Sequence, residues 1–105
     1  MQIQVNTDNH IKGDERLSRY VERTITDSLK RFDKQLTRVE IHFHDDNSSR
    51  KSSPDDIRCV IEARPRGLKP VTVSDNAESI DQAFGGAIDK IERALERTMG
   101  KLEAR

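Results

Sequence analysis

The sequence predicts an α+β fold, a two-layer sandwich of order β-α-β-β-β-α with both helices on one face of a four-stranded mixed sheet. Three observations predict it. Two stretches carry apolar residues at the three- and four-residue spacing of a helix. Four shorter stretches alternate apolar and polar residues, as half-buried strands do. Each strand then has one apolar side and each helix one apolar face, and a single layer of helix on a single sheet buries them all.

In chain order, Gln2 to Asn6 sets Ile3 and Val5 on one side of a strand and Gln2, Gln4 and Asn6 on the other. A polar turn from Thr7 to Gly13 leads to Asp14 and Glu15, acids placed where a helix N-terminus favours them. Leu17, Tyr20, Val21, Thr24, Ile25, Ser28, Leu29 and Phe32 keep helical spacing to about Lys34. Arg38 to His44 alternates again, with Val39, Ile41 and Phe43 inward. Asp45 to Asp56, DDNSSRKSSPDD, is a polar loop of a length uncommon in compact folds and is expected to be mobile. Ile57, Cys59, Ile61 and Ala63 are the inward residues of the next strand, with Val60 the one apolar residue facing out. A turn around Gly67 precedes Val71 and Val73, which begin the last strand. Ser79 with Gln82 three residues on has the spacing of a capping box. It opens a long helix to about Leu102, whose apolar face is Ile80, Phe84, Ala87, Ile91, Ala94, Leu95, Thr98 and Leu102. A strand–helix–strand unit crosses over right-handed, so the first two strands are expected to be parallel neighbours or near-neighbours and the rest antiparallel hairpins.

The chain has 105 residues, enough for one domain over 1–105 and one modest core. Aromatic residues make up 4%, so that core is built mainly from Ile, Val, Leu and Ala. The lone Cys59 excludes an internal disulfide and a cysteine zinc site, and suits a reducing cytoplasm. No leader-like or membrane-spanning stretch stands out, which predicts a cytoplasmic protein with no membrane partner.

Charge is balanced, with 19 Lys+Arg against 19 Asp+Glu, so a basic surface exists only where the fold sorts charge. The last helix sorts it. Wound at about 100° per residue, Lys90, Arg93, Arg97 and Lys101 fall on one flank, and Asp81, Asp89, Glu92, Glu96 and Glu103 on the other. The first helix carries a second basic stripe with Arg16, Arg19 and Arg23. A single stripe of this kind is ordinarily a solvated surface with local pairs such as Glu15–Arg19, Asp27–Arg31 and Asp89–Arg93. Two stripes on helices packed against the same sheet would make one phosphate-binding field if the basic flanks adjoin, and arginine suits bidentate phosphate contact. Which flank of the second helix faces the first is not readable from the sequence.

Other chemistry finds little support. Tyr20, Phe32, Phe43 and Phe84 all take expected core positions, which leaves no base-stacking platform and speaks against an RNA-binding sheet of the RRM kind. A double-stranded RNA-binding domain would place basic residues where Ser79, Asp81 and Gln82 begin the last helix. His42 and His44 share a strand face with Asp46 next in register, but no further metal ligand is evident. There is no nucleophile–base pairing, glycine-rich phosphate loop or recognisable carboxylate pair, so neither an enzyme, a cofactor nor a small-molecule substrate is expected. Gly85-Gly86 inside a helix points to close backbone packing.

MQIQVNTDNHI at the start, RLSRYVERTI in the first helix, VTVSDNAESIDQAF, and GAIDKIERALERTMGKL in the last helix together resemble the short ribosome hibernation-promoting factor and ribosome-associated inhibitor family, in order and spacing over nearly the whole chain. The resemblance implies a non-enzymatic factor, active in stationary phase or stress. It would enter the mRNA and tRNA channel of the small ribosomal subunit, contact its rRNA and keep idle ribosomes inactive. The family's basic positions in the last helix match Lys90, Arg93 and Arg97, within DKIERALER. Ile80, Asp81 and Gln82 stand where the family commonly has Asp-Met-Tyr, and Ser18 and Thr24 where first-helix basic residues are expected, with Arg19 and Arg23 beside them. A short-form member would lack the additional C-terminal dimerisation domain of long members. The competing reading is a protein-interaction module of the same fold that no longer binds ribosomes and uses the acidic flank or the open sheet face.

Overall fold

The computed structural model describes residues 1–8, 11, 13–45 and 57–103, the last three of these by backbone alone. The elements are β1 (Gln2–Thr7), α1 (Glu15–Ser28), a 3-10 turn (Lys30–Phe32), β2 (Leu36–Asp45), β3 (Ile57–Pro65), β4 (Val71–Ala77) and α2 (Ile80–Glu103). The sheet has four strands in the order β1-β2-β3-β4. β1 runs parallel to β2, and β2, β3 and β4 form an antiparallel meander. This is the expected α+β architecture. The loop assigned to Asp45–Asp56 lies outside the described residues except for Asp45, which closes β2.

Register follows the alternation. Ile3 pairs with Val39 and Val5 with Ile41. Ile41 pairs with Ile61, and Ile61 with Val73. The inward residues of the two central strands, Val39, Ile41, Phe43, Cys59, Ile61 and Ala63, are fully buried. Those of the edge strands, Ile3, Val5, Val71 and Val73, are half-buried against the same core. Both helices close that face, α2 over β3 and β4 and α1 over β1. Each buried Val, Leu, Ile or Phe contributes about 1.5–3 kcal/mol.

Helix α1 begins where Asp14 accepts a hydrogen bond from the Leu17 N–H at 3.0 Å. Its end is earlier than the apolar period suggested. The α-helix stops at Ser28, the Leu29 N–H still reaches the Ile25 carbonyl at 2.9 Å, and the chain tightens into the 3-10 turn before entering β2. Leu29 and Phe32 remain buried because three-residue spacing matches the tighter turn. Ile11, within the stretch read as a polar turn, is also buried. Between β3 and β4, Gly67 has φ +71°, a conformation glycine adopts without steric cost. At the head of α2, Ser79 Oγ accepts from the Gln82 N–H at 3.2 Å and the Ser79 carbonyl from the Ala83 N–H at 3.0 Å. The buried stripe of α2 is Ala83, Phe84, Ala87, Ile88, Ile91, Leu95 and Met99.

One aromatic departs from expectation. Phe32, Phe43 and Phe84 are buried, but Tyr20 is 47% exposed, its ring meeting Phe84 in an edge contact. It lies at the margin of the α1 stripe, beside Phe84 of α2.

Candidate nucleic-acid interface

The burial stripe of α2 fixes which way its charged flanks point. Lys90, Arg93 and Arg97 come together beside β4, where with Val73 and Ser74 they line an open depression of about 340 Å³. Glu96, on the opposite flank, forms an ion pair with Arg31 next to the end of α1. The acidic flank therefore faces α1 and the basic flank faces the outer edge of the sheet. Arg31 is drawn to α2 and away from the local pairing with Asp27 that the spacing suggested.

Lys90 differs from its two neighbours on the stripe. Its Nζ donates to the Ser74 carbonyl at 2.8 Å and sits 3.0 Å from Asp75 Oδ1. It ties α2 to β4. Gly86 lies one turn earlier on the same flank, and a Cβ there would come within 2.7 Å of the Asp75 Cγ. The helix and strand thus approach closely because residue 86 has no side chain, and Lys90 then neutralises the acid enclosed between them. Arg93 and Arg97 are exposed, and among the described residues neither has an ion-pair partner. Their guanidinium groups retain their full donor set toward solvent. The side chain of Lys101 lies outside the described residues.

On α1, Arg16, Arg19 and Arg23 are exposed. Arg19 pairs with Glu15 at 3.3 Å, with both side chains mostly in water, an arrangement worth little. Arg16 and Arg23 have no ion-pair partner among the described residues. Since the acidic flank of α2 faces α1, the two basic groups form separate surfaces, one on α1 and one at the α2–β4 edge. They do not make the continuous field that adjoining basic flanks would have made.

The open sheet face is a cross-strand charge ladder. Glu40 lies 3.2 Å from Arg38 Nε, 3.4 Å from His42 Nε2 and 3.8 Å from Arg64, which also pairs with Glu62 at 2.9 Å. Arg38 reaches Gln4 on β1 as well. Most of these charges are matched within the sheet, which leaves less of them for a polyanion. The His42 and His44 rings stack at 6.5 Å. Asp46, their neighbour in the metal arrangement considered from sequence, lies outside the described residues, among which no cluster of three such ligands occurs. The Cys59 thiol is pushed up to about 12 by burial and, secondarily, by Asp75, which keeps it protonated and unreactive at neutral pH.

Sequence reasoning missed the contact of Lys90 with β4 and the exposure of Tyr20. A signal for the first was present: Asp75 falls at an inward position of β4, opposite Cys59, where an acid needs a partner. For the second there was none, because a helical wheel does not show how far the neighbouring helix reaches.

The family model described as "Sigma 54 modulation protein / S30EA ribosomal protein" matches residues 3–103. No curated protein sequence matches the chain. Solved structures share the fold. The Thermus thermophilus Protein Y N-terminal domain superposes with a TM-score of 0.72 at 18% identity, covering 93% of this chain and 99% of that one. A ribosomal subunit interface protein from Coxiella burnetii gives 0.72 at 14% identity, covering 95% and 99%. At these identities the likeness establishes the fold.

Proposed function

Because the chain belongs to the sigma 54 modulation protein / S30EA ribosomal protein family, we propose that it is a non-enzymatic ribosome-associated translation inhibitor. In this reading residues 1–105 act as one cytoplasmic ribosome-binding domain on the small subunit. It occupies the mRNA and tRNA channel, contacts rRNA phosphates and holds idle ribosomes inactive, as a hibernation factor would. The observation that carries it is the pair Arg93 and Arg97, two exposed guanidinium groups one helical turn apart with no ion-pair partner among the described residues, on a chain of zero formal net charge. Unmatched arginines gathered at one edge suit phosphate oxygens, which accept two parallel hydrogen bonds from each fork. Lys90 holds the helix that presents them, Lys101 extends the stripe, and Arg16, Arg19 and Arg23 form a second contact surface on α1.

Binding through phosphates releases counterions, and the slope of log affinity against log salt grows by somewhat under one unit for each phosphate neutralised. The test is a salt titration of small-subunit binding for the parent, an Arg93→Ala/Arg97→Ala variant and an Asp89→Asn control. The arginine variant is expected to bind more weakly with a flatter slope while melting like the parent, and the control to bind as well as the parent or slightly better. An arginine variant indistinguishable from the parent in affinity and slope would leave the stripe a solvated helix face. The protein-interaction reading would then lead.

A further inference from the structure

Among the described residues the exposed large hydrophobics are Tyr20, 47% exposed, and Leu68, 37% exposed in the β3–β4 turn. Tyr20 is the better fixed of the two. Its ring meets Phe84 edge-on, centroids 5.9 Å apart at 68°, and Phe84 meets Phe43 with the same separation and angle. Phe84 and Phe43 are 1% and 0% exposed, so a chain of three rings runs from the core to the surface. A ring mounted this way loses little freedom when a ligand covers it. Next to Phe84, Gly85 presents no side chain, and nothing lies within 4 Å of where its Cβ would be.

The surroundings of the ring are cationic on one side. Arg16 lies four residues before Tyr20 and Arg23 three after, so both share its part of the helix surface. Both are exposed and without an ion-pair partner among the described residues. On α2 the acidic residue Glu96 is engaged by Arg31, beyond the C-terminal end of α1. A half-exposed aromatic ring with an exposed arginine one helical turn to either side matches one nucleotide step of a single strand, in which the base stacks and the flanking phosphates are held. We propose that Tyr20, Arg16 and Arg23 form a site for an unstacked nucleobase of single-stranded RNA. The site rests on the ribosomal RNA reading above and adds base contact to it, on a surface separate from the Arg93–Arg97 edge.

The chain contains one tyrosine and no tryptophan, so its tyrosine fluorescence reports on Tyr20 alone. An eight-nucleotide oligouridylate is expected to quench it saturably, while a ribose–phosphate oligomer of equal length without bases leaves the emission unchanged. In anisotropy measurements with labelled oligouridylate, Tyr20→Phe is expected to bind like the parent and Tyr20→Leu roughly 5- to 20-fold more weakly. Circular dichroism checks that both variants fold. Equal quenching by the abasic oligomer, or parental affinity in Tyr20→Leu, overturns the proposal. Sedimentation with small subunits separates it from the broader reading. A parent that is quenched by oligouridylate but does not sediment with subunits supports the base site and refutes the ribosomal assignment. A parent that sediments, paired with a Tyr20→Leu variant unchanged toward oligouridylate, does the reverse.

Discussion

Gly85 and Gly86 are neighbours in the second turn of α2 but meet different surroundings. A methyl group at 86 enters the carboxylate of Asp75, already held 3.0 Å from Lys90, whereas at 85 it meets open space. Gly86→Ala must displace the acid from its lysine or lift the helix, and is expected to lose roughly 1–3 kcal/mol. Gly85→Ala relieves a helix-interior glycine and is expected to gain about 0.5–1 kcal/mol. Urea denaturation of the two variants measures both, and shifts of the same sign would contradict the close approach at 86. The glycine pair was legible in the sequence as a packing feature, but which glycine packs was not, because the answer sits on β4. Tyr20 failed for a related reason. Residues at the centre of an apolar stripe, such as Val21 and Ile25, are buried whatever the neighbour does. One at its margin depends on how far the next helix extends, and Tyr20, beside Phe84 of α2, stays 47% exposed.

Within α2, the sorting of charge by sign was readable because it follows from helical geometry alone. Its orientation toward α1 was not, since that depends on Arg31–Glu96 and Lys90–Asp75, pairs distant in sequence. Where α1 ends was hidden as well: Leu29 and Phe32 continue an apolar period that suits a 3-10 turn as readily as an α-helix. The two ion pairs fix the edge that each flank of α2 presents. Lys90→Met keeps the aliphatic stem but removes the contacts to Ser74 and Asp75. The pair is partly exposed, so the expected loss is about 1 kcal/mol or less, a fall in Tm of at most roughly 4–8 °C. The salt slope of ribosome binding should stay nearer the parent's than that of Arg97→Ala. A slope flattened as much as in Arg97→Ala with an unchanged Tm would make Lys90 a phosphate ligand rather than a tether.

Across the molecule, the fold was legible because each strand and helix has an apolar side of the right period and only one layering buries them all. The function was less so, because zero net charge says nothing of where charge collects. β1 lies at the sheet edge and pairs only with β2, in parallel, across the whole of α1. β3, β4 and α2 each pack on the element that precedes them in the chain. Pairing between distant segments requires a longer loop to close before any contact forms. The meander and α2 are therefore expected to assemble in the folding transition state, with β1 added on the downhill side. Ile3→Ala should speed unfolding and leave the refolding rate nearly unchanged, with a φ-value of about 0–0.3. Ile61→Ala, in the middle of the meander, should slow refolding. Chevron plots of the two variants distinguish these cases, and a strongly slowed refolding limb in Ile3→Ala would place the parallel pairing inside the nucleus. If the order holds, the strand that docks last is also the first to leave, and the kinetic lifetime of the native state is set at β1.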